Sequence, residues 1–199
     1  MLQDGLPGWY YPDVEMWSWF SVIDFKNAYF HISIEPEHHC YLWFSLKGVI
    51  YKFKVLPFGL STVSRVFMKC LAPVVAYLHL SGVMVFPYLD DWLLVVPSHA
   101  QLIKDISFTL FLLSALGLQM NQEKSTLHPT QRVSYIGAVL DASSGWAFLP
   151  EDRILKIQSM VASFVLGARL LALQVQRLLG LMASSMAVVQ HARLKMRSL

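Results

Sequence analysis

Charge is what this 199-residue chain has least of: Asp, Glu, Lys and Arg make up 15% of it, against 55% hydrophobic residues. That balance is too apolar for a disordered chain, and no internal repeat or low-complexity segment interrupts it. Cysteine is scarce as well. Cys40 and Cys70 alone make no disulfide framework, which points to a reducing intracellular setting, cytoplasm or nucleus. The N-terminus lacks a basic region leading into a long apolar run, so no secretory leader is expected. Lys and Arg are absent ahead of Lys26, and the net charge of +3 permits nucleic-acid binding without arguing for it.

Long uncharged runs are present, and their contents argue against membrane spans. Residues 70–89 are long enough to cross a bilayer, but they contain Pro73, His79, Gly82 and Pro87 and end on Asp90-Asp91. The run 106–122 is marginal in length and breaks at Gly117. The last apolar stretch carries Arg169 and Arg177, which a single span could hardly hide. These runs are expected to be buried elements of a globular core, with no membrane partner.

The periodicity predicts strands mixed with helices, then helices alone: an α+β domain with a helical appendage. Residues 21–25 form a short apolar run with one acid, which reads as a buried strand. Runs 41–46 and 49–55 flank Lys47-Gly48, a hairpin turn signal. A loop, Leu56-Pro57-Phe58-Gly59-Leu60, leads to Ser61 as a helix cap, with Phe67, Leu71, Val74 and Leu78 at helical spacing and a kink at Pro73. Residues 83–88 and 92–96 read as strands flanking Leu89-Asp90-Asp91. A helix opening at Ser98 stops at Gly117, and residues 133–140 read as one further strand. A Ser-Ser-Gly turn precedes the run 146–149. Pro150 suits a first helical position, Gly167 a helix end, and a last helix covers 172–189.

Asp90-Asp91 is the most informative pair. Two acids amid Val, Phe and Leu would be costly to bury in a continuous strand, yet at a tight turn both carboxylates can reach one cleft. Close carboxylates repel, so one keeps its proton unless a cation neutralises the pair, and hard oxygen ligands suit magnesium. Asp24, at the end of another buried strand, could complete a site for two ions about 3.5–4 Å apart. Taken alone, Asp-Asp reads better as a mere turn, since Asp is a turn residue anyway. His38-His39-Cys40 invites a zinc reading, but adjacent positions rarely converge on one ion and four spaced ligands are lacking.

In order along the chain stand Val22-Ile23-Asp24-Phe25-Lys26-Asn27-Ala28-Tyr29-Phe30, Leu56-Pro57-Phe58-Gly59-Leu60-Ser61, Tyr88-Leu89-Asp90-Asp91, Leu116-Gly117-Leu118 with Asn121 and Lys124, and Tyr135-Ile136-Gly137. Together they resemble five ordered motifs of the reverse transcriptase family, with the flavour of DIRS-like and gypsy-like retrotransposon enzymes. The Ala-Tyr-Phe-His-Ile run at 28–32, Trp92 after the acids and Leu179-Gly180-Leu181-Met182 carry that flavour. The resemblance implies a reverse-transcriptase palm, an antiparallel sheet with packed helices, followed by a helical thumb-like segment. It divides the chain into a lead-in or fingers remnant at 1–20, a palm with hairpin at 21–145 and a thumb or connection at 146–199.

The implied activity is RNA-directed DNA polymerisation with two Mg2+ ions, for which Mn2+ can substitute. Asp24, Asp90 and Asp91 would be the metal ligands and Lys124 an acid towards the departing pyrophosphate. Tyr29 would exclude a ribose 2′-hydroxyl, with Phe58 and Gly59 flooring the nucleotide and template base. Without the resemblance Tyr29 reads as a core aromatic and Lys124 as a solvated lysine. Tyr135, Ile136 and Gly137 would form the primer grip, and Lys47, Lys52, Lys54, Arg153 and Lys156 could meet duplex phosphates. The implied partners are an RNA or DNA template with primer, dNTPs, and the rest of a polyprotein that supplies fingers and ribonuclease H. The short lead-in, which has no Lys or Arg, leaves out the basic fingers residues that clamp a triphosphate. A catalytically inactive relic, or a co-opted nucleic-acid- or protein-binding module, is therefore the alternative expectation.

Overall fold

The computed structural model describes residues 17–164, 171–185 and 188. Gly167 and Arg169, and the expected helix beyond Ser185 apart from residue 188, lie outside the described residues. Contacts divide the chain into two compact units: Phe20–Pro129, and the segments on either side of it.

The first unit is built on a four-stranded sheet in the order β4-β5-β1-β6, from β1 (Trp19–Asp24), β4 (Val85–Tyr88), β5 (Asp91–Val96) and β6 (Thr126–Thr130). β1 lies between two neighbours, and Phe20, Ser21, Val22 and Ile23 are all buried, with the Ser21 hydroxyl donating to the Thr126 carbonyl at 2.7 Å. Helix α1 (Val63–Leu80) packs on β4, and α2 (His99–Ala115) on β5. α1 is long and apolar enough to cross a membrane by length and composition. It is amphipathic here: Val63, Phe67, Leu71 and Leu78 are buried while Arg65 and Lys69 face outward. Phe25 stands edge-on to Trp92 at 5.0 Å and to Phe67 at 6.2 Å, joining β1, β5 and α1 in one core.

Several local expectations are corrected. Thr62, not Ser61, precedes α1, and its side chain makes no capping bond. Ser98 does cap α2, accepting from the Gln101 amide at 3.5 Å. The strands β2 (Trp43–Leu46) and β3 (Val49–Lys52) pair as expected around Lys47-Gly48, both at positive φ. They are shorter than the sequence runs and exposed along their whole length. β6 was not legible because Pro129 sits inside it; at the sheet edge its missing N–H costs little.

In the second unit the expected single strand over 133–140 is two. β7 (Arg132–Tyr135) and β8 (Ala138–Asp141) pair antiparallel around Ile136-Gly137, and β9 (Trp146–Phe148) adds to β8. Helices α3 (Glu151–Ala162) and α4 (Ala172–Ser185) pack together, with Pro150 one position ahead of the first helical residue.

Candidate active site

The chain path brings the acids together. Tyr88 pairs with Asp91, so the β4–β5 hairpin turns on two residues, Leu89 and Asp90, rather than the three expected. Leu89 sits at φ +53, a left-handed conformation that a branched side chain adopts only under constraint from its surroundings. The Phe25 amide donates to the Asp90 carbonyl at 2.9 Å, which fixes Asp24 beside the turn. Behind Asp24 runs the segment 119–125. The Asn121 amide donates to the Asp24 carbonyl at 2.8 Å, and Ser125 Oγ accepts from the Asp24 amide at 3.0 Å.

The partner of Asp91 is Asp24 rather than its neighbour Asp90: the two carboxylates share a hydrogen bond. Burial, then the charges of Asp90 and Asp24 and that hydrogen bond, push Asp91 up to about 6, against a smaller pull from Lys124. Asp24 is also raised, by burial first, while Lys124 and hydrogen bonds from Asn121 and Asp91 work the other way. Asn121 and Ser125 were not expected as members of this cluster. Their short polar side chains follow Gly117, where a loop would carry them anyway.

Among the described residues, no group of three or more His, Cys, Asp or Glu is gathered closely enough to hold an ion. The donor set nonetheless fits a hard divalent cation. Two adjoining carboxylates whose proton affinity is raised by burial and by each other's charge have an unmet need for positive charge, and their donors are oxygen. His38, His39 and Cys40 lie on a 3-10 helix, where His39 Nε2 bonds the Ile34 carbonyl at 2.9 Å and Cys40 Sγ the Glu37 carbonyl at 3.2 Å.

Tyr29 lies on a 3-10 turn, Ala28–His31, entered through Asn27 in the left-handed region. Its ring is wedged between buried Phe67 at 5.4 Å and exposed Phe58 at 5.0 Å, and its hydroxyl meets Ser64 Oγ at 3.2 Å. It is therefore a half-buried wall rather than a core aromatic. Phe58 is 60% exposed and also touches Phe30, at 5.3 Å. Gly59 sits at φ +95 with open space where a Cβ would stand, so within the chain conformation, not crowding, calls for glycine. Lys124 is exposed and acts on the acids through its charge.

In the other unit, Ile136 at φ +47 and Gly137 at φ +71 form the two-residue turn between β7 and β8. A Cβ on Gly137 would stand 3.1 Å from the Arg153 guanidinium, so the first turn of α3 lies against this hairpin tip. Tyr135 is buried beneath it.

Residues 13–140 match the family model for reverse transcriptase (RNA-dependent DNA polymerase). The chain is 24% identical over 149 residues to Protein P of duck hepatitis B virus (strain China), covering 73% of this chain and 18% of that protein. It is 26% identical over 121 residues to the retrovirus-related Pol polyprotein from transposon gypsy of Drosophila melanogaster, covering 61% of this chain and 11% of that protein. The chain thus spans under a fifth of these curated relatives. The foamy viral protease-reverse transcriptase in complex with an RNA/DNA hybrid shares the fold, with a TM-score of 0.74 over 92% of this chain and 23% of that one, at 18% identity.

Proposed function

The chain belongs to the reverse transcriptase (RNA-dependent DNA polymerase) family, and from that premise we propose that it carries the nucleotidyl-transfer site of an RNA-directed DNA polymerase from a retroelement. One observation supports this above the others: Asp24 at the end of β1 is hydrogen-bonded to Asp91 at the β4–β5 hairpin, with the charge of Asp90 acting on both. Asp24, Asp90 and Asp91 would hold two Mg2+ ions, with Mn2+ as substitute. When bound, such ions lower the proton affinity of the primer 3′ hydroxyl and offset charge on the departing pyrophosphate.

The side chains divide the remaining work. Asn121 steadies the Asp24 carboxylate by hydrogen bonding, and Lys124 offsets the cluster's charge and lies in the segment from which it could protonate pyrophosphate. Tyr29, held on three sides by Phe67, Phe58 and Ser64, walls off space where a ribose 2′-hydroxyl would need room. Phe58 and Gly59 floor the base, and Tyr135, Ile136 and Gly137 support the primer, with Arg153 at their turn. The partners of this reading are a primed RNA or DNA template, dNTPs and the remainder of a polyprotein. The foamy viral relatives are described in complex with dsDNA and with an RNA/DNA hybrid, which is consistent with it.

A second reading, a binding module without catalysis, is favoured by the β2–β3 hairpin, whose Trp43 and Ile50 are 59% and 61% exposed. Primer extension on poly(rA)–oligo(dT) separates the two. We expect magnesium-dependent extension by the wild-type chain, abolished by chelation, and a loss of about 10³-fold or more in Asp90→Asn. A soluble, folded chain that binds the duplex without extending it would leave only the second reading.

A further inference from the structure

His31 belongs to neither the carboxylate cluster nor the aromatic wall, yet both of its ring nitrogens are engaged. Nε2 accepts from the Gln119 amide at 2.9 Å, and Nδ1 lies 3.0 Å from the Ala28 carbonyl. A backbone amide can only donate, so Nε2 carries no proton; a carbonyl can only accept, so Nδ1 carries it. The ring is therefore neutral, with its tautomer dictated by the backbone at both ends.

What the ring joins is informative. Ala28 begins the 3-10 turn that carries Tyr29. Gln119 opens the segment that carries Asn121 and Lys124, and its carbonyl accepts from the Lys26 amide at 2.9 Å. Phe25 and Met120 form an isolated antiparallel bridge beside it. His31 and Gln119 lie 88 residues apart in sequence, and the Gln119 segment also reaches Asp24, whose carbonyl accepts from the Asn121 amide. The backbone of the turn is held by short local bonds, Phe30 amide to Asn27 carbonyl and Ile32 amide to Tyr29 carbonyl. The Tyr29 side chain ties it to Phe67, Phe58 and Ser64; on the side of Gln119 the tie comes from His31.

We propose that His31 is a positioning residue: its neutral imidazole braces the Tyr29 turn against the Gln119–Lys124 segment and so sets the wall and the acid cluster at a fixed separation. This rests on the polymerase reading above. Two measurements test it. In the folded chain at pH 7.5, nitrogen NMR of His31 is expected to report the Nδ1–H tautomer; an Nε2–H or doubly protonated ring would overturn the proposal whether or not the chain polymerises. In single-nucleotide incorporation, His31→Leu is expected to lower kcat and the preference for dTTP over UTP, each by about 10–100-fold, as a displacement near 1 Å does. His31→Gln is expected to recover most of both, since its amide can accept from Gln119 and donate to Ala28. His31→Leu with wild-type kcat and sugar preference would overturn the brace while leaving the polymerase reading intact. A wild-type chain that shows the Nδ1–H tautomer but incorporates nothing would overturn the polymerase reading and, with it, the role given to the brace.

Discussion

Asp91 shows how a single residue records the demands of its site. Its carboxyl ordinarily titrates at 3.8 and here does so at about 6, because burial and two neighbouring carboxylates disfavour its charge. In the unfolded chain the group loses its proton first. Between about pH 4 and 6 the folded chain therefore holds a proton that the unfolded chain has released. The metal-free fold loses stability as pH rises through that window and nothing further from Asp91 above it. Asp91→Asn abolishes this contribution. In denaturant titrations with a chelator present, the variant is expected to gain on wild type by about 1 kcal/mol between pH 4 and 7, after discounting for solvent screening. A constant difference across that range would contradict the assignment. That acids in apolar strands need neutralising was legible in the sequence. That Asp24 rather than Asp90 hydrogen-bonds to Asp91 was not, because it depends on the juxtaposition of β1 with the β4–β5 turn.

At the scale of the element, the β4–β5 and β7–β8 hairpins turn on residues that sequence patterns disfavour. Leu89 and Ile136 both adopt positive φ, where a branched side chain is strained, and Ile-Gly is no turn signal, so residues 133–140 read as one strand. The β2–β3 hairpin was legible because Lys47-Gly48 ends in a glycine at φ +78. Buried strands β1 and β5 were legible from their apolar runs, whereas edge strand β6 was concealed by Pro129. The β7–β8 turn offers a test of its own. Gly137→Ala imposes a Cβ at φ +71 and drives it to 3.1 Å from Arg153. A loss of about 1–2 kcal/mol is expected in thermal or denaturant unfolding, with weaker primer–template binding if Arg153 shifts. Unchanged stability would mean that the turn relaxes freely and does not hold α3.

For the molecule as a whole, five short motifs identified the family where composition could not, because an apolar, weakly charged chain is compatible with many folds. Two features of the whole were beyond the sequence: the compact units part near Thr130, and the β2–β3 hairpin stands out from the unit that carries it with its apolar side chains uncovered. Both depend on long-range packing that no local window contains. The proposed nucleotidyl-transfer site requires that Asp24, Asp90 and Asp91 together bind a divalent metal. Titration of the folded chain with Mn2+, followed by its electron paramagnetic resonance signal, tests this without requiring turnover. Saturable binding is expected in the wild type, competed by Mg2+, with affinity lowered by about tenfold or more in each of Asp24→Asn and Asp91→Asn. Binding that is unchanged in both variants would contradict it.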